Sequence, residues 1–520
     1  MRKSLALTLV LAMPALAEPV VPQFQDQTAT SGVVHSYEGD WQFMVGGGVA
    51  AFDCSGDSLP ELFFAGGTAP AALYLNESKP GALSFRAQVA GLEETRVTGA
   101  WPLDIDSDGV MDLVVLRSGE DLVMRGLGQC RFERMNEAWG FEGRDLWSSA
   151  FAATWEKGAD WPTLAVGTYI DRKEEAFPWG SCTENLLYRP KGQGFAEPLE
   201  LQPSFCALSM LFTDWNLSGT PSLRVSNDRE YYKGGTEQMW HVPPGEAPKL
   251  YGKEEGWKPL KIWGMGIASA DVNGDLFPDY YLTSMADQKL QTLAEGPGKP
   301  VFKDVAFAMK ATAHRPYTGG DERPSTGWHA EFQDVNDDGF VDLFVAKGNV
   351  EKMPDFAQND PNNLLLGGEK GFTEAGDRAG VASMAMARGA SVVDLDGDGR
   401  LDLVVANRHS GAELWRNKGL GIGGEALGHW LMLAPVQEGA NRDAVGGWIE
   451  VRVGDRVQRR ELTVGGGQGG GQIGWRHFGI GAEAAAEVRV IWPDGSEGPW
   501  ENLAADSFYH LPKGGAAVKR

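Results

Sequence analysis

The chain is short of basic residues, of cysteine and of long apolar runs, and each shortage closes a class of function. Lysine and arginine number 47 against 71 acidic residues, a formal net charge of −24 over 520 residues. A surface with that deficit repels phosphate backbones and anionic lipid, which excludes nucleic-acid binding through phosphates and attachment to an anionic membrane. Cations are the ligands it favours. The four cysteines, Cys54, Cys130, Cys182 and Cys206, include no Cys-x-x-Cys pair and have no histidine at zinc spacing. No later apolar run approaches the roughly 18 residues of a membrane helix. HExxH, a Ser/His/Asp order and a phosphate loop are also missing, since the glycine run from Gly465 to Gly471 precedes neither GK[ST] nor a helical pattern. That run reads as a flexible or tightly turned loop between strands. What the composition does supply is a core: 42% hydrophobic residues with 18 tryptophans exclude a disordered chain.

The N-terminus has the layout of a secretory signal. Met1-Arg2-Lys3 is basic, Leu5 to Met13 is nearly all apolar, and Ala15-Leu16-Ala17 is a small-x-small cleavage pattern. The expectation is a signal peptide over 1–17, removed to leave an exported protein that is periplasmic or secreted. In that setting four cysteines read as two disulfides.

One unit recurs along the chain: a short strand, an acidic loop, then a Val/Leu/Phe-rich strand. The clear copies start at Asp104, Asp271, Asp334 and Asp394, and eroded ones at Asp53, Thr154 and Asp214. A spacing of 50 to 63 residues suits a four-stranded propeller blade with generous loops. The predicted fold is all-β: a seven-bladed β-propeller over 20–420, followed by a small β-sandwich or barrel over 428–514. The seventh unit lacks a fourth strand, and Phe24-Gln25-Asp26 near the N-terminus copies the fourth-strand pattern, so this segment is predicted to complete blade seven and close the ring. Such topology places Cys54 and Cys130 on the acidic-loop face and Cys182 and Cys206 on the other. The predicted pairs are therefore Cys54 with Cys130 and Cys182 with Cys206, because mixed pairs would have to cross the disc.

Oxygens at positions 1, 3, 5, 7 and 9 of a tight glycine loop converge on one point, with position 7 offering its carbonyl. That hard-oxygen set suits calcium. The predicted ligands are Asp104, Asp106, Asp108, the Val110 carbonyl and Asp112 in blade two, and Asp271, Asn273, Asp275, the Phe277 carbonyl and Asp279 in blade five. Blade six offers Asp334, Asn336, Asp338, the Phe340 carbonyl and Asp342; blade seven offers Asp394, Asp396, Asp398, the Arg400 carbonyl and Asp402. Leu276 replaces the expected loop glycine of blade five. Blade one keeps Asp53, Ser55, Asp57 and Glu61, a weaker set, and blades three and four have lost theirs. The plainer reading, Asp-Gly hairpin turns without metal, does not ask for an acid at position 9 of four loops in register. Ca²⁺ at four sites, with a fifth possible in blade one, is the cofactor expectation.

These loops resemble the calcium-binding FG-GAP/VCBS repeats of integrin α-chain propellers, although the literal FG-GAP signature is absent. In the tail, His429-Trp430-Leu431, the segment from Asn441 to Gly447, the glycine run, the segment from Trp475 to Gly481 and the segment from Val488 to Gly495 closely resemble the ASPIC/UnbV domain. A propeller followed by that domain is similar to the cartilage acidic protein family. The resemblance implies a secreted calcium-binding protein and carries no enzymatic activity with it.

Five residues before the loop start, six units have Gly or Ser and the sixth has His329, with Glu331 and Gln333 on the same strand face. If that face lines the channel, His329 and Glu331 are the candidates for ligand binding or proton exchange, with Trp328 and Arg388 near the entrance. The plainer alternative is a solvated histidine bonded to its own strand. On the face opposite the metal loops, the long connections 171–183, 228–237 and 347–362, with Arg408-His409, are the expected binding surface, and Trp179, Tyr231 and Tyr232 are aromatic candidates there. The leading expectation is a calcium-stabilised, non-membrane-spanning binding or adhesion module for a protein or polysaccharide. A carbohydrate-active lyase or isomerase at the channel face is the alternative, and a mainly structural or calcium-storing protein the third.

Overall fold

The computed structural model describes residues 18–174, 180–228, 234–285, 288–312, 325–351 and 360–520. The expected signal peptide, Trp179, Tyr231 and Tyr232 lie outside the described residues. The chain is all-β and built of many small sheets. Among the described residues no helix is long and apolar enough to cross a membrane.

Seven repeats each form four antiparallel strands, six of them in sequence order and the seventh with an N-terminal strand as its fourth. Their first strands are Val49–Phe52, Val97–Leu103, Asp145–Thr154, Ala207–Thr213, Gly264–Ala270, Gly327–Gln333 and Met386–Val393. Apolar on both faces, most of these first strands are buried along nearly their whole length. Each lies against the first strand of the next repeat, and that of repeat seven lies against that of repeat one. In repeat seven the fourth strand is Pro22–Asp26, paired with Glu413–Gly421 through Phe24–Asn417, Gln25–Arg416 and Asp26–Trp415. The N-terminal segment thus takes the place its sequence pattern predicts. Repeats two and three are fused by three further residue pairs, from Asp145 with Glu120 to Trp147 with Ser118.

Cys54 is bonded to Cys130 and Cys182 to Cys206, with Cα separations of 4.8 and 5.0 Å. These are the two pairs expected from the topology. The second joins a buried cluster around the starts of the first strands that includes Met44, Trp147, Tyr169, Met265 and Trp328. This apolar cluster lies at the end of the first strands away from the acidic loops.

The C-terminal part is a β-sandwich of two four-stranded sheets. One has the order Arg476–Gly481, His429–Val436, Ser507–Pro512, Val518–Lys519; the other has Arg456–Glu461, Trp448–Val453, Ala485–Ile491, Glu501–Ala504. Leu431, Ile449, Val451, Phe478, Val490 and Leu511 interlock between them. The last strand carries the sandwich past the expected boundary at 514.

Of the two readings of the glycine run, a flexible or a tightly turned loop between strands, the structure has the second: Gly466, Gly467 and Gly469 all lie at positive φ. The run leaves the sandwich, enters the ring, and bonds to all seven first strands. Val464 and Gly465 pair with Ala153 and Ala152, Gly466 N donates to the Met210 carbonyl at 2.6 Å, and Gly467 N to the Ile267 carbonyl at 2.8 Å. Gln468 N donates to His329 Nδ1 at 3.1 Å, Ala100 N to the Gly469 carbonyl at 3.3 Å, Ala51 N to the Gly471 carbonyl at 3.2 Å, and Gln472 bonds Ser391. Glycine is required by close approach: a Cβ on Gly48 or Gly99 would overlap the Gly469 carbonyl, which sits between the two strands. Gly48→Ala therefore pushes against backbone that cannot yield, and is expected to cost about 1–3 kcal/mol. Urea unfolding of the variant checks this, and an unchanged midpoint would contradict the close packing.

Candidate metal centres

The loop after each first strand has one conformation in repeats one, two, four, five, six and seven. Position 4 and position 6 both lie in the left-handed region: Gly56 and Ser58, Ser107 and Gly109, Leu217 and Gly219, Gly274 and Leu276, Asp337 and Gly339, Gly397 and Gly399. Leu276 holds φ at 68° where glycine would do so without strain, at a cost of about 1–2 kcal/mol. The loop tolerates it because its hydrogen bonds over-determine the turn.

Those bonds repeat from loop to loop. The position 6 N–H donates to Oδ2 of the position 1 aspartate: Ser58 to Asp53, Gly109 to Asp104, Leu276 to Asp271, Gly339 to Asp334 and Gly399 to Asp394, at 2.7 to 3.0 Å. The position 7 N–H donates to the position 5 acid, as Val110 to Asp108, Phe277 to Asp275, Phe340 to Asp338 and Arg400 to Asp398, at 2.8 to 2.9 Å. The position 2 N–H donates to the position 9 acid, as Ile105 to Asp112, Val272 to Asp279, Val335 to Asp342, Leu395 to Asp402 and Cys54 to Glu61, at 2.8 to 3.0 Å. Repeat four keeps the first bond, from Gly219 to Asp214 at 2.7 Å, although it has lost the acids at positions 5 and 9.

Turn-making alone leaves part of this donor set unexplained. Carboxylate oxygens of Asp104, Asp106 and Asp108 lie within 4.8 Å of one another, and so do those of Asp394, Asp396 and Asp402. Asp279 is fully buried and its Oδ1 has no hydrogen-bond partner; the same holds for Glu61 Oε1 in repeat one. Each ligand set is made of hard oxygens, so the residues fit a calcium ion, with Asn273 and Asn336 adding neutral oxygens at position 3. Cys54 and Cys130 also lie near Glu61 but are tied up as a disulfide.

Burial and mutual repulsion raise these carboxyl pKa values. Desolvation takes Asp112, Asp279 and Asp394 to about 8 and Asp104 to about 6, with neighbouring aspartates adding to the rise. Asp334, Asp342 and Asp402 are also raised well above the usual carboxylate range, for the same two reasons. Arginines answer part of the charge: Arg125 Nε and Nη2 lie 2.8 Å from Asp106 and Asp108, and Arg416 pairs with Asp396 and Asp398.

The channel residues singled out in the sequence are buried or, for Glu331, half-buried, and hydrogen-bonded. His329 is buried, accepts from Gln468 N, and has Nε2 3.5 Å from Glu331. Glu331 accepts from Gln333 at 2.7 Å, from Val392 N at 3.0 Å and from Gln472. Arg388 stacks on Trp328 at 4.0 Å and donates to the carbonyls of Met44, Ala387, Asn349 and Val350. A cavity of about 120 Å³ remains between the run, the first strands and the sandwich, lined by His329, Glu331, Gln333, Arg460 and Gln472.

Residues 53–115 and 334–405 match the family model of the FG-GAP-like repeat, spanning the loops of repeats one, two, six and seven, and residues 437–518 match that of ASPIC and UnbV. The chain carries FG-GAP-like repeats and a C-terminal ASPIC and UnbV domain. No curated protein matches it. Among solved structures, BBS1N in complex with ARL6DN, soaked with mercury, is 11% identical, covers 77% of this chain and 98% of its own, and has a TM-score of 0.43. An Agrocybe aegerita lectin that recognises non-reducing terminal N-acetylglucosamine is 16% identical over 69% of this chain and 74% of its own, with a TM-score of 0.28. A mutant of AofleA from Arthrobotrys oligospora is 11% identical over 68% and 88%, with a TM-score of 0.37.

The raised carboxyls set a pH dependence for the metal-free protein. Their folded-state pKa values exceed the unfolded value of 3.8, so the stability they contribute is complete below about pH 4 and is lost as pH rises through about 8. Metal-free protein is expected to melt several degrees higher at about pH 5.5 than at about pH 8, and Asp112→Asn to flatten that slope. Melting curves at the two pH values check this, and a higher melting temperature at pH 8 would contradict it.

Proposed function

We propose that the seven sheets are the blades of a closed β-propeller. In this reading the loops of repeats two, five, six and seven each hold one calcium ion, and repeat one supplies a fifth, weaker site. The loaded protein acts as an exported binding module for a protein or polysaccharide. The observation that carries the metal reading is the recurrence of one loop geometry with desolvated, incompletely satisfied carboxylates, of which Asp279 Oδ1 is the clearest. Adjacency of first strands around the whole series, with Pro22–Asp26 added to repeat seven, supports ring closure. Two disulfides suit an oxidising compartment and so support export.

The ASPIC and UnbV domain covers the acidic-loop face: Arg442 reaches Gly109, Arg459 reaches Leu276 and Arg520 reaches Asp57. That leaves the opposite face, with its long second-to-third connections, as the surface for a ligand. The lyase or isomerase alternative has no supporting observation, since His329 and Glu331 are bonded to the glycine run.

Calcium binding to the folded state alone adds about 2.7 kcal/mol per site at a hundredfold excess over Kd. Melting of the mature protein with calcium and with chelator is therefore expected to differ by ten degrees or more, and Asp334→Asn or Asp394→Asn to remove part of the difference. Identical melts would overturn the metal reading. A glycan and protein-ligand array probed with loaded protein tests the binding role, and an array without a single hit favours the structural alternative.

A further inference from the structure

The domain on the acidic-loop face touches the same position in each of the four strong metal loops. In repeat two, Arg442 Nη1 donates to the carbonyl of position 6, Gly109, at 2.8 Å. In repeat five, Arg459 Nη1 donates to the carbonyl of position 6, Leu276, at 3.1 Å. In repeat six, Arg456 stacks 3.8 Å over the Phe340 ring, and its Nη1 is the nearest atom to a Cβ built on position 6, Gly339. In repeat seven, the Trp430 ring lies so close to position 6, Gly399, that a Cβ there would overlap it. His477 adds a contact to Asp337 Oδ1 at 2.9 Å.

Position 6 lies between the ligands at positions 5 and 7 and is held by its N–H bond to the position 1 aspartate. The placing of position 6 thus follows from the turn in which positions 1, 5, 7 and 9 converge, and the domain meets it through its carbonyl in repeats two and five and by packing in repeats six and seven. Without an ion, clustered carboxylates oppose that convergence and the four contacts are disturbed together. The arginines are also distributed to suit. Repeats two and seven carry their own, Arg125 and Arg416, whereas the corresponding strand of repeat six ends in Leu366, and there Arg456 of the C-terminal domain supplies the cation.

We propose that the ASPIC and UnbV domain is a metal-seated stopper: it reads the ion-loaded shape of the four loops at position 6, and loss of the ions lifts it and withdraws Val464 to Ile473 from the channel. This rests on the calcium reading and extends it to regulation, because withdrawal would expose the channel faces of all seven first strands, His329 and Glu331 included. By linkage, the seated domain tightens calcium binding by the same factor that calcium tightens the seat.

Hydrogen–deuterium exchange of the intact chain tests this, since the amides of Gly466, Gly467, Gln468, Gly471 and Ile473 are all bonded to the ring. Chelation is expected to speed their exchange at least tenfold, together with that of the loops. The double variant Arg442→Met, Arg456→Met alters no metal ligand; it is expected to speed exchange of the run in saturating calcium and to weaken calcium binding several-fold by titration calorimetry. If chelation loosens the loops but leaves the run protected, the stopper is overturned while the metal sites stand. If calcium changes neither loops nor run and no binding heat is seen, both readings fall.

Discussion

Fourteen ligand carboxylates crowded into four tight turns are the constraint from which the rest of this molecule follows. Carboxylates drawn this close and desolvated repel one another by several kcal/mol unless cations or protons intervene. The chain supplies partial answers in the form of Arg125 and Arg416 from its own strands and, from the C-terminal domain, Arg456, which faces Asp334 and Asp338. Four divalent ions would offset eight of the fourteen charges, and these arginines answer part of the remaining six. Docking of the domain and the state of the loops are thereby linked.

A second constraint is steric. The inner faces of seven first strands leave a bore too narrow for side chains at its closest points, and the chain fills it with glycines whose backbone bonds replace water. Gly48 and Gly99 answer the glycines of the run, so small residues occur on both sides of the contact. The apolar cluster around Trp328 and Met265 lies at the other end of the first strands.

Much of this was legible in the sequence because it repeats. The seven acidic-loop starts, the missing fourth strand and its N-terminal replacement, and both disulfide pairs follow from period and topology. Register between repeats also aligned the acids of one recurring turn, and even Leu276 keeps its left-handed conformation. The glycine run was illegible for a physical reason: it has no side-chain pattern, and its meaning lies in close approach to residues hundreds of positions away. The polar stripe of His329 and Glu331 was placed on the correct inner face but read as solvent-facing. Strand alternation identifies a face without saying what occupies it. The signal Gly/Ser five residues before each loop was the trace of that occupant.

Native mass spectrometry of the mature protein titrated with calcium tests the central claim most directly, because it counts ions on the folded chain. The account predicts four bound calcium ions, a fifth at higher concentration, and one ion fewer in each of Asp112→Asn, Asp279→Asn, Asp342→Asn and Asp402→Asn. A folded protein that binds no calcium, or binds it equally with all four aspartates replaced, would contradict the account.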